Sequence, residues 1–207
     1  MFKALLFIFM PVQTWERVFR AQRGLAFILT FYLLPLLGLT AFSEGYGLVH
    51  WGKGQGRIHE KLFTVPEAAI FEIAQGLLTL SVVLLGASVI KSISRTFHSR
   101  HTYTATFTVV AYGLSPMFLL RLLDAFPPVN PWVSWSIGIL LSVTVLYQGV
   151  PRVMQPDPPQ AFGLFFMSAL LLTISTGLVR LVTACYLGGS FKSLEAFVSN
   201  LAGRIPF

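Results

Sequence analysis

The spacing of the charged residues constrains this chain more than any other feature. Only 11% of its 207 residues are charged, and five charge-free stretches reach 18 residues or more. These stretches are residues 24–43, 73–90, 101–120, 125–151 and 158–179. The next longest, residues 4–15, has 12 residues and contains Pro11. A helix needs about 20 largely apolar residues to cross about 30 Å of hydrocarbon, so the sequence predicts five membrane spans.

The predicted fold is all-α, an integral membrane bundle of five transmembrane helices. Trimming the stretches at turn residues gives one bundle, residues 25–187, with helices at 25–42, 68–90, 103–122, 132–150 and 161–186. Glycine and proline are concentrated between these helices, where they act as breakers. The spans are uniformly apolar and lack the two-residue alternation of strands. With 55% hydrophobic residues and so few charges, an ordinary soluble domain and a disordered chain are both excluded.

The basic residues predict the orientation of the bundle. With a cytoplasmic N-terminus, the loops on that side carry eight Lys and Arg residues and the opposite side carries five. Because cytoplasmic loops hold the excess of Lys and Arg, we expect the N-terminus inside and the C-terminus outside. Topology and anionic lipid then account for most of the net charge of +7, so nucleic acid is not an expected partner.

The two ends of the chain are predicted to lie on the membrane surfaces. Residues 1–24 combine an apolar stretch with Arg17, Arg20 and Arg23, which favours a segment on the cytoplasmic interface, apolar side in the lipid. This segment lacks the small-residue cleavage site of a signal peptide. Residues 188–207 carry apolar residues at nearly helical spacing after Ser190. They predict an amphipathic helix on the outer face, with a partner-docking helix as the alternative.

The sequence offers little for catalysis. The four histidines fall in loops or at the edge of a span, and His98 and His101 have no carboxylate or cysteine nearby to complete a metal site. Cys185 is the single cysteine, and residues 52–57 lack the spacing of a phosphate-binding loop. We therefore expect no catalytic residue, no metal and no cofactor, and we expect that the protein is not an enzyme.

Three charged residues fall inside the predicted spans, namely Glu72, Arg121 and Arg180. Under the expected topology they lie at similar depth below the outer interface. Snorkelling of the two arginines to the headgroups is the preferred explanation. The alternatives are an ion pair of Glu72 with Arg180 or Arg121, with Asp124 as a second acidic candidate, and a site for a ligand or a lipid headgroup.

Pro116 lies inside the third predicted helix. It removes a backbone donor and clashes with the carbonyl four residues earlier, so a kink is predicted near Tyr112. Gly113 and Ser115 allow close helix packing at that point. We interpret the kink as shaping the bundle.

The segment Tyr112-Gly113-Leu114-Ser115-Pro116 resembles the Tyr-x-x-x-Pro segment of the Yip1 domain family. Residues 146–151, followed by Pro158, Pro159, Gln160 and Ala161, look like that family's exit from the fourth helix and start of the next. The resemblance implies a compact, prokaryotic-type member with five spans, a cytoplasmic N-terminus and no catalytic residues. We therefore expect it in a bacterial inner membrane. Eukaryotic relatives contact Rab GTPases through longer N-terminal regions. With 24 residues in that segment here, no Rab-type GTPase is expected as a partner.

Two functional hypotheses follow. The first is a non-catalytic protein that binds membrane lipids or other membrane protein subunits laterally, as an accessory or scaffold subunit. Its support includes small residues of the fifth helix, namely Ser168, Ala169, Thr173, Ser175, Thr176 and Gly177. The alternative is a small permease or lipid-moving transporter that uses the Pro116 kink with Glu72 and Arg180.

Overall fold

The computed structural model describes residues 2–52, 62–97, 99 and 102–187. Five helices are long and apolar enough to cross a membrane. In chain order, these first to fifth spans are Leu25–His50, Val65–Thr96, Tyr103–Ala125, Pro131–Met154 and Pro158–Leu187. Two short helices precede them, α1 (Phe2–Phe9) and α2 (Pro11–Ala21). The described ranges contain no strand, so the predicted all-helical membrane bundle is confirmed.

The first span is longer than the sequence predicted. It was expected to end at residue 42, before Glu44 and two glycines, but the helix continues to His50. Leu36, Thr40, Glu44 and Leu48 recur every four residues on its buried face. A charged residue that faces the interior of a bundle does not end a span, because it meets partners there and not lipid.

The second span begins at Val65, three residues before its predicted start. Thr64 is the N-cap, and its backbone N–H donates to Glu67 Oε2 over 3.0 Å. The same carboxylate accepts from the Thr64 hydroxyl. Glu67 therefore lies in the first helical turn as half of a capping box, where a negative charge is favourable.

The third span is the most buried of the five. It consists of two α-helices, Tyr103–Gly113 and Ser115–Leu120, and a 3₁₀ turn, Arg121–Ala125. The helix is interrupted at Leu114, whose φ of −83° and ψ of 0° lie outside the α region. The kink was predicted near Tyr112, and the interruption falls two residues later, between Tyr112 and Pro116.

The N-terminal helices pack into the bundle. The side chains of Ala4, Phe7 and Trp15 are fully buried in the main core. Trp15 Nε1 donates to the Val145 carbonyl of the fourth span over 3.0 Å. This differs from the expected interfacial segment with its apolar side in the lipid, since Phe7 and Trp15 face other helices.

The last two spans also exceed their predicted bounds. The fourth runs from Pro131 to Met154, with Pro151 inside the helix. The fifth begins with a 3₁₀ turn, Pro158–Gln160, and continues as an α-helix to Leu187. The C-terminal segment expected at 188–207 lies outside the described residues, as do His98 and His101.

Candidate functional site

Three of the five spans meet at Arg121, near the end of the third span. Its Nε donates to Glu44 Oε2 of the first span over 2.8 Å, and its Nη2 donates to Glu72 Oε2 of the second span over 2.6 Å. Glu44 is 0% exposed, Glu72 7% and Arg121 8%. Charge-assisted hydrogen bonds of this kind are stronger than neutral ones.

Arg180 of the fifth span forms a second pair beside the first. Its Nη2 bonds to Asp124 Oδ2, at the end of the third span, and to the Pro131 carbonyl. Its Nε donates to the same carbonyl over 3.1 Å. The Ser134 hydroxyl of the fourth span donates to the other oxygen of Asp124. We call Glu44, Glu72, Arg121, Asp124 and Arg180 the charged cluster. Together with its bonds to Pro131 and Ser134 of the fourth span, it connects all five spans.

Gly47 explains how the first span reaches this cluster. A Cβ at this position would overlap the backbone of Ala125, with the Ala125 Cα only 2.8 Å away. The missing side chain lets the first span lie directly against the end of the third. Glu44, one turn earlier, is thereby brought to Arg121.

Of the three explanations for the intramembrane charges, the structure shows ion pairs between helices. Both arginines are buried among the spans, so the preferred snorkelling explanation does not describe them. Glu72 pairs with Arg121, one of its two expected partners, and Arg180 pairs with Asp124. Sequence reasoning does not identify Glu44 as part of a site, because the predicted first span ends at residue 42. Its spacing of four residues from Thr40 and Leu48 was the available signal.

Tyr112 lies at the centre of a second cluster, in the other half of the third span. Its ring is 4.2 Å from the Tyr32 ring, 5.4 Å from Phe7 and 6.3 Å from Trp15, measured between centroids. We call these four residues the aromatic cluster. It joins α1 and α2 to the first and third spans, and tilted and edge-on ring contacts of this kind add stability beyond buried area.

Pro116 creates a backbone defect that the neighbouring side chains repair. Since proline has no N–H, it cannot donate to the Tyr112 carbonyl four residues earlier. The Ser115 hydroxyl donates to that carbonyl over 2.6 Å and is itself bonded to the Tyr32 hydroxyl. Ser142 of the fourth span accepts from the Met117 N–H over 3.2 Å. Hydrogen bonds at and beside the Tyr112 to Pro116 segment therefore stabilise the interrupted helix and hold it against the first and fourth spans.

A cleft lies next to the charged cluster, between the second, third, fourth and fifth spans. One end is lined by Arg121, Asp124 and Arg180, and the other by Val82 and Leu114. The cleft therefore changes from charged to apolar along the third span.

Several small residues of the fifth span face the interior of the bundle. Ser168, Ala169 and Thr176 are buried in the bundle. Gly177 lies against Trp135, to which an added Cβ would approach within 3.3 Å. These residues support packing inside the protein and leave larger side chains such as Leu178 on the lipid side.

No group of three His, Cys, Asp or Glu residues is placed to hold a metal ion within the described ranges. Cys185 is a free thiol, partly exposed near the end of the fifth span. Each carboxylate of the charged cluster is bonded to a guanidinium group, and Asp124 also accepts from the Ser134 hydroxyl while Arg180 holds its other oxygen. This arrangement favours holding helices together over nucleophilic chemistry.

Five apolar helices, the third of them interrupted, define a helical multi-pass membrane protein. The Yip1 domain family matches residues 5–180, which include both clusters and the Tyr112 to Pro116 segment. The chain therefore belongs to the Yip1 domain family. No curated protein and no solved structure shows significant similarity to it.

Proposed function

We propose that the protein is a non-catalytic membrane protein that acts by lateral binding to lipids or to subunits of a larger membrane complex. In this proposal it lies in a bacterial inner membrane with its N-terminus in the cytoplasm. The observation that carries the proposal is that two clusters of buried side chains hold the helices of the bundle together. The charged cluster, with its bonds to Pro131 and Ser134, links all five spans, and the aromatic cluster fastens the N-terminal helices to the first and third spans.

A bundle held together at two clusters is expected to keep its helices in fixed positions while partners bind to its outward faces. Transport by rocking requires that one group of helices separates from another. Separation near Arg121 would leave buried carboxylates without their guanidinium partner, which costs several kcal/mol. The outward faces, in contrast, are available for binding. Phe31, Leu140 and Leu178, on the first, fourth and fifth spans, are each more than half exposed.

The first test maps what touches these faces. A photoreactive amino acid is placed at Phe31, Leu140 or Leu178 in turn, and the protein is irradiated in native membranes. A subunit partner gives a discrete protein adduct at one of the three faces, whereas bulk lipid gives lipid adducts at all three. A specific lipid remains bound through mild-detergent isolation and is identified by mass spectrometry. A lone monomer with no retained lipid and no protein adduct would contradict the proposal.

A small permease or lipid-moving transporter is the second candidate, and the cleft between the last four spans is the observation that favours it. Glu72 pairs with Arg121, and Arg180 pairs with Asp124, instead of Glu72 with Arg180. A transported group that moves between Glu72 and Arg180 would therefore also meet Arg121. Flux of a fluorescent lipid in liposomes containing only the purified protein decides between the candidates. Flux that a cross-link between the second and fifth spans abolishes would support the transporter over lateral binding.

A further inference from the structure

The cleft contains two buried polar atoms that lack hydrogen-bond partners. Among the described residues, neither Gln75 Oε1 nor Arg121 Nη1 has one. Gln75 is 4% exposed and Arg121 8%, and both line the cleft. A buried donor or acceptor without a partner costs about 1–3 kcal/mol. Such atoms in a cavity indicate a group that binds there.

The charged cluster places Arg121 beside the helix that carries Gln75. Arg121 Nη2 is 2.6 Å from Glu72, and Gln75 follows Glu72 by one helical turn on the same buried face of the second span. One atom is a donor and the other an acceptor. A single group that both accepts and donates a hydrogen bond would satisfy both atoms, and an alcohol hydroxyl does both.

The remainder of the cleft is apolar and elongated. From Asp124 back to Leu114 the lining follows ten residues of the third span, about 15 Å at the helical rise. Val82, Met117, Phe118 and Val179 contribute apolar surface along this length. A hydrocarbon chain that extends away from the polar end would bury its surface against this lining, which is favourable.

We propose that the cleft binds a neutral long-chain amphiphile with a hydroxyl headgroup. Arg121 Nη1 donates to the hydroxyl oxygen, and the hydroxyl donates to Gln75 Oε1. The chain follows the apolar lining toward Val82 and Leu114. This site lies inside the bundle and extends the proposed function, which concerns the outward faces.

The charges around the polar end select against an anionic headgroup. A phosphate or carboxylate at Arg121 would lie beside Glu72 and the Asp124 side chain that lines the cleft. Like charges at this separation in an apolar environment repel strongly. A hydroxyl meets no such repulsion.

A second pocket adjoins the polar end of the cleft, because Arg180 and Thr183 line both. Residues 127–132, at the connection between the third and fourth spans, also line that pocket. In this proposal the chain enters from this end of the bundle, apolar part first, and leaves its hydroxyl near Arg121.

The test uses diazirine-labelled hexadecanol and the full-length protein in phosphatidylcholine nanodiscs. We expect labelling of peptides from the third and fifth spans, and competition by unlabelled hexadecanol at least tenfold stronger than by hexadecane, palmitate or hexadecyl phosphate. Equal competition by hexadecane would overturn the hydroxyl assignment. Stronger competition by hexadecyl phosphate would assign the site to anionic lipid and overturn the proposal.

Two matched pairs of variants locate the site. Q75L removes the acceptor and is expected to reduce labelling about fivefold to tenfold. Q160L makes the same change at a glutamine whose Oε1 is also buried without a partner, but outside the cleft, and should leave labelling unchanged. V82W fills the apolar end and should abolish labelling, whereas L85W, on the lipid side, should not. Unchanged labelling in Q75L and V82W would overturn the proposal.

The outcome is independent of the proposed function. Failure to find a lateral partner leaves the labelling result unaffected. Loss of the cleft site, in turn, leaves the adducts at Phe31, Leu140 and Leu178 as the measure of lateral binding.

Discussion

The two clusters hold the same central span by different physical means. At the charged cluster, Arg121 and Arg180 hold spans through directional bonds to carboxylates. At the aromatic cluster, Tyr112 holds helices through ring packing and one chain of hydroxyl bonds. Ring packing tolerates small changes because contact is spread over many atoms. A buried ion network is stable only as a complete set, since removal of one member leaves charges without partners.

The sharpest test of this difference is Arg121→Leu. It leaves Glu44 and Glu72 buried without their guanidinium, and we expect a loss of about 3–5 kcal/mol in the free energy of unfolding. Unfolding in mixed detergent micelles measures it. Replacing Glu44, Glu72 and Arg121 by leucine together should restore most of the loss, because no uncompensated charge remains. Arg20→Leu breaks an exposed pair with Glu16 and should change stability by less than about 1 kcal/mol. An Arg121→Leu protein as stable as the parent would refute the structural role of the cluster.

At the aromatic cluster, Trp15→Ala is expected to cost about 3 kcal/mol through the cavity that it leaves. It also removes the bond to the Val145 carbonyl. Since Trp15 fastens α2, the exposed Arg17 and Arg20 should become more sensitive to trypsin. Trp51→Ala, at a partly exposed tryptophan, should have a smaller effect on both measurements. Equal effects of the two changes would contradict the buried position of α2.

Gly47→Ala tests whether close approach of backbones builds the charged cluster. The added methyl would overlap Ala125, so we expect a loss of about 1–3 kcal/mol and weaker pairing of Glu44 with Arg121. Gly38→Ala, in the same span with no atom within 4 Å of the added Cβ, should be neutral or slightly stabilising. A methyl tolerated equally at both positions would show that the first span does not need to approach the third so closely.

The sequence predicted the membrane fold well because the lipid imposes a simple rule. A span must be long and nearly free of charge, and the charge-free stretches gave the right number of spans. The rule failed where a charge faces the protein interior. Glu44 marked the end of a span by charge, yet it lies buried inside one, bonded to Arg121. A single sequence does not show which helices contact each other. It therefore does not reveal that Arg121 is the partner that allows Glu44 to be buried.

The same limit explains the N-terminal segment. Its composition, apolar with several arginines, fits a helix on the membrane surface, and that was the expectation. The buried position of Trp15 depends on a gap in the fourth span at Gly149, where an added Cβ would overlap the tryptophan ring. The break at Pro116, in contrast, was predictable because it depends on the proline's own backbone chemistry.

The smallest expected effect concerns the hydroxyl chain that repairs this break. Tyr32→Phe removes the hydroxyl bonded to Ser115 but keeps the ring beside Tyr112. We expect a loss of about 0.5–1.5 kcal/mol, the net contribution of one hydrogen bond, and no change in protease sensitivity, since the rings still pack. Tyr147→Phe, at an exposed tyrosine, is the matched control and should be neutral. If Tyr32→Phe lowered the free energy of unfolding as much as Trp15→Ala, hydrogen bonds between hydroxyls, and not ring packing, would hold this half of the third span. Both clusters would then depend on directional bonds.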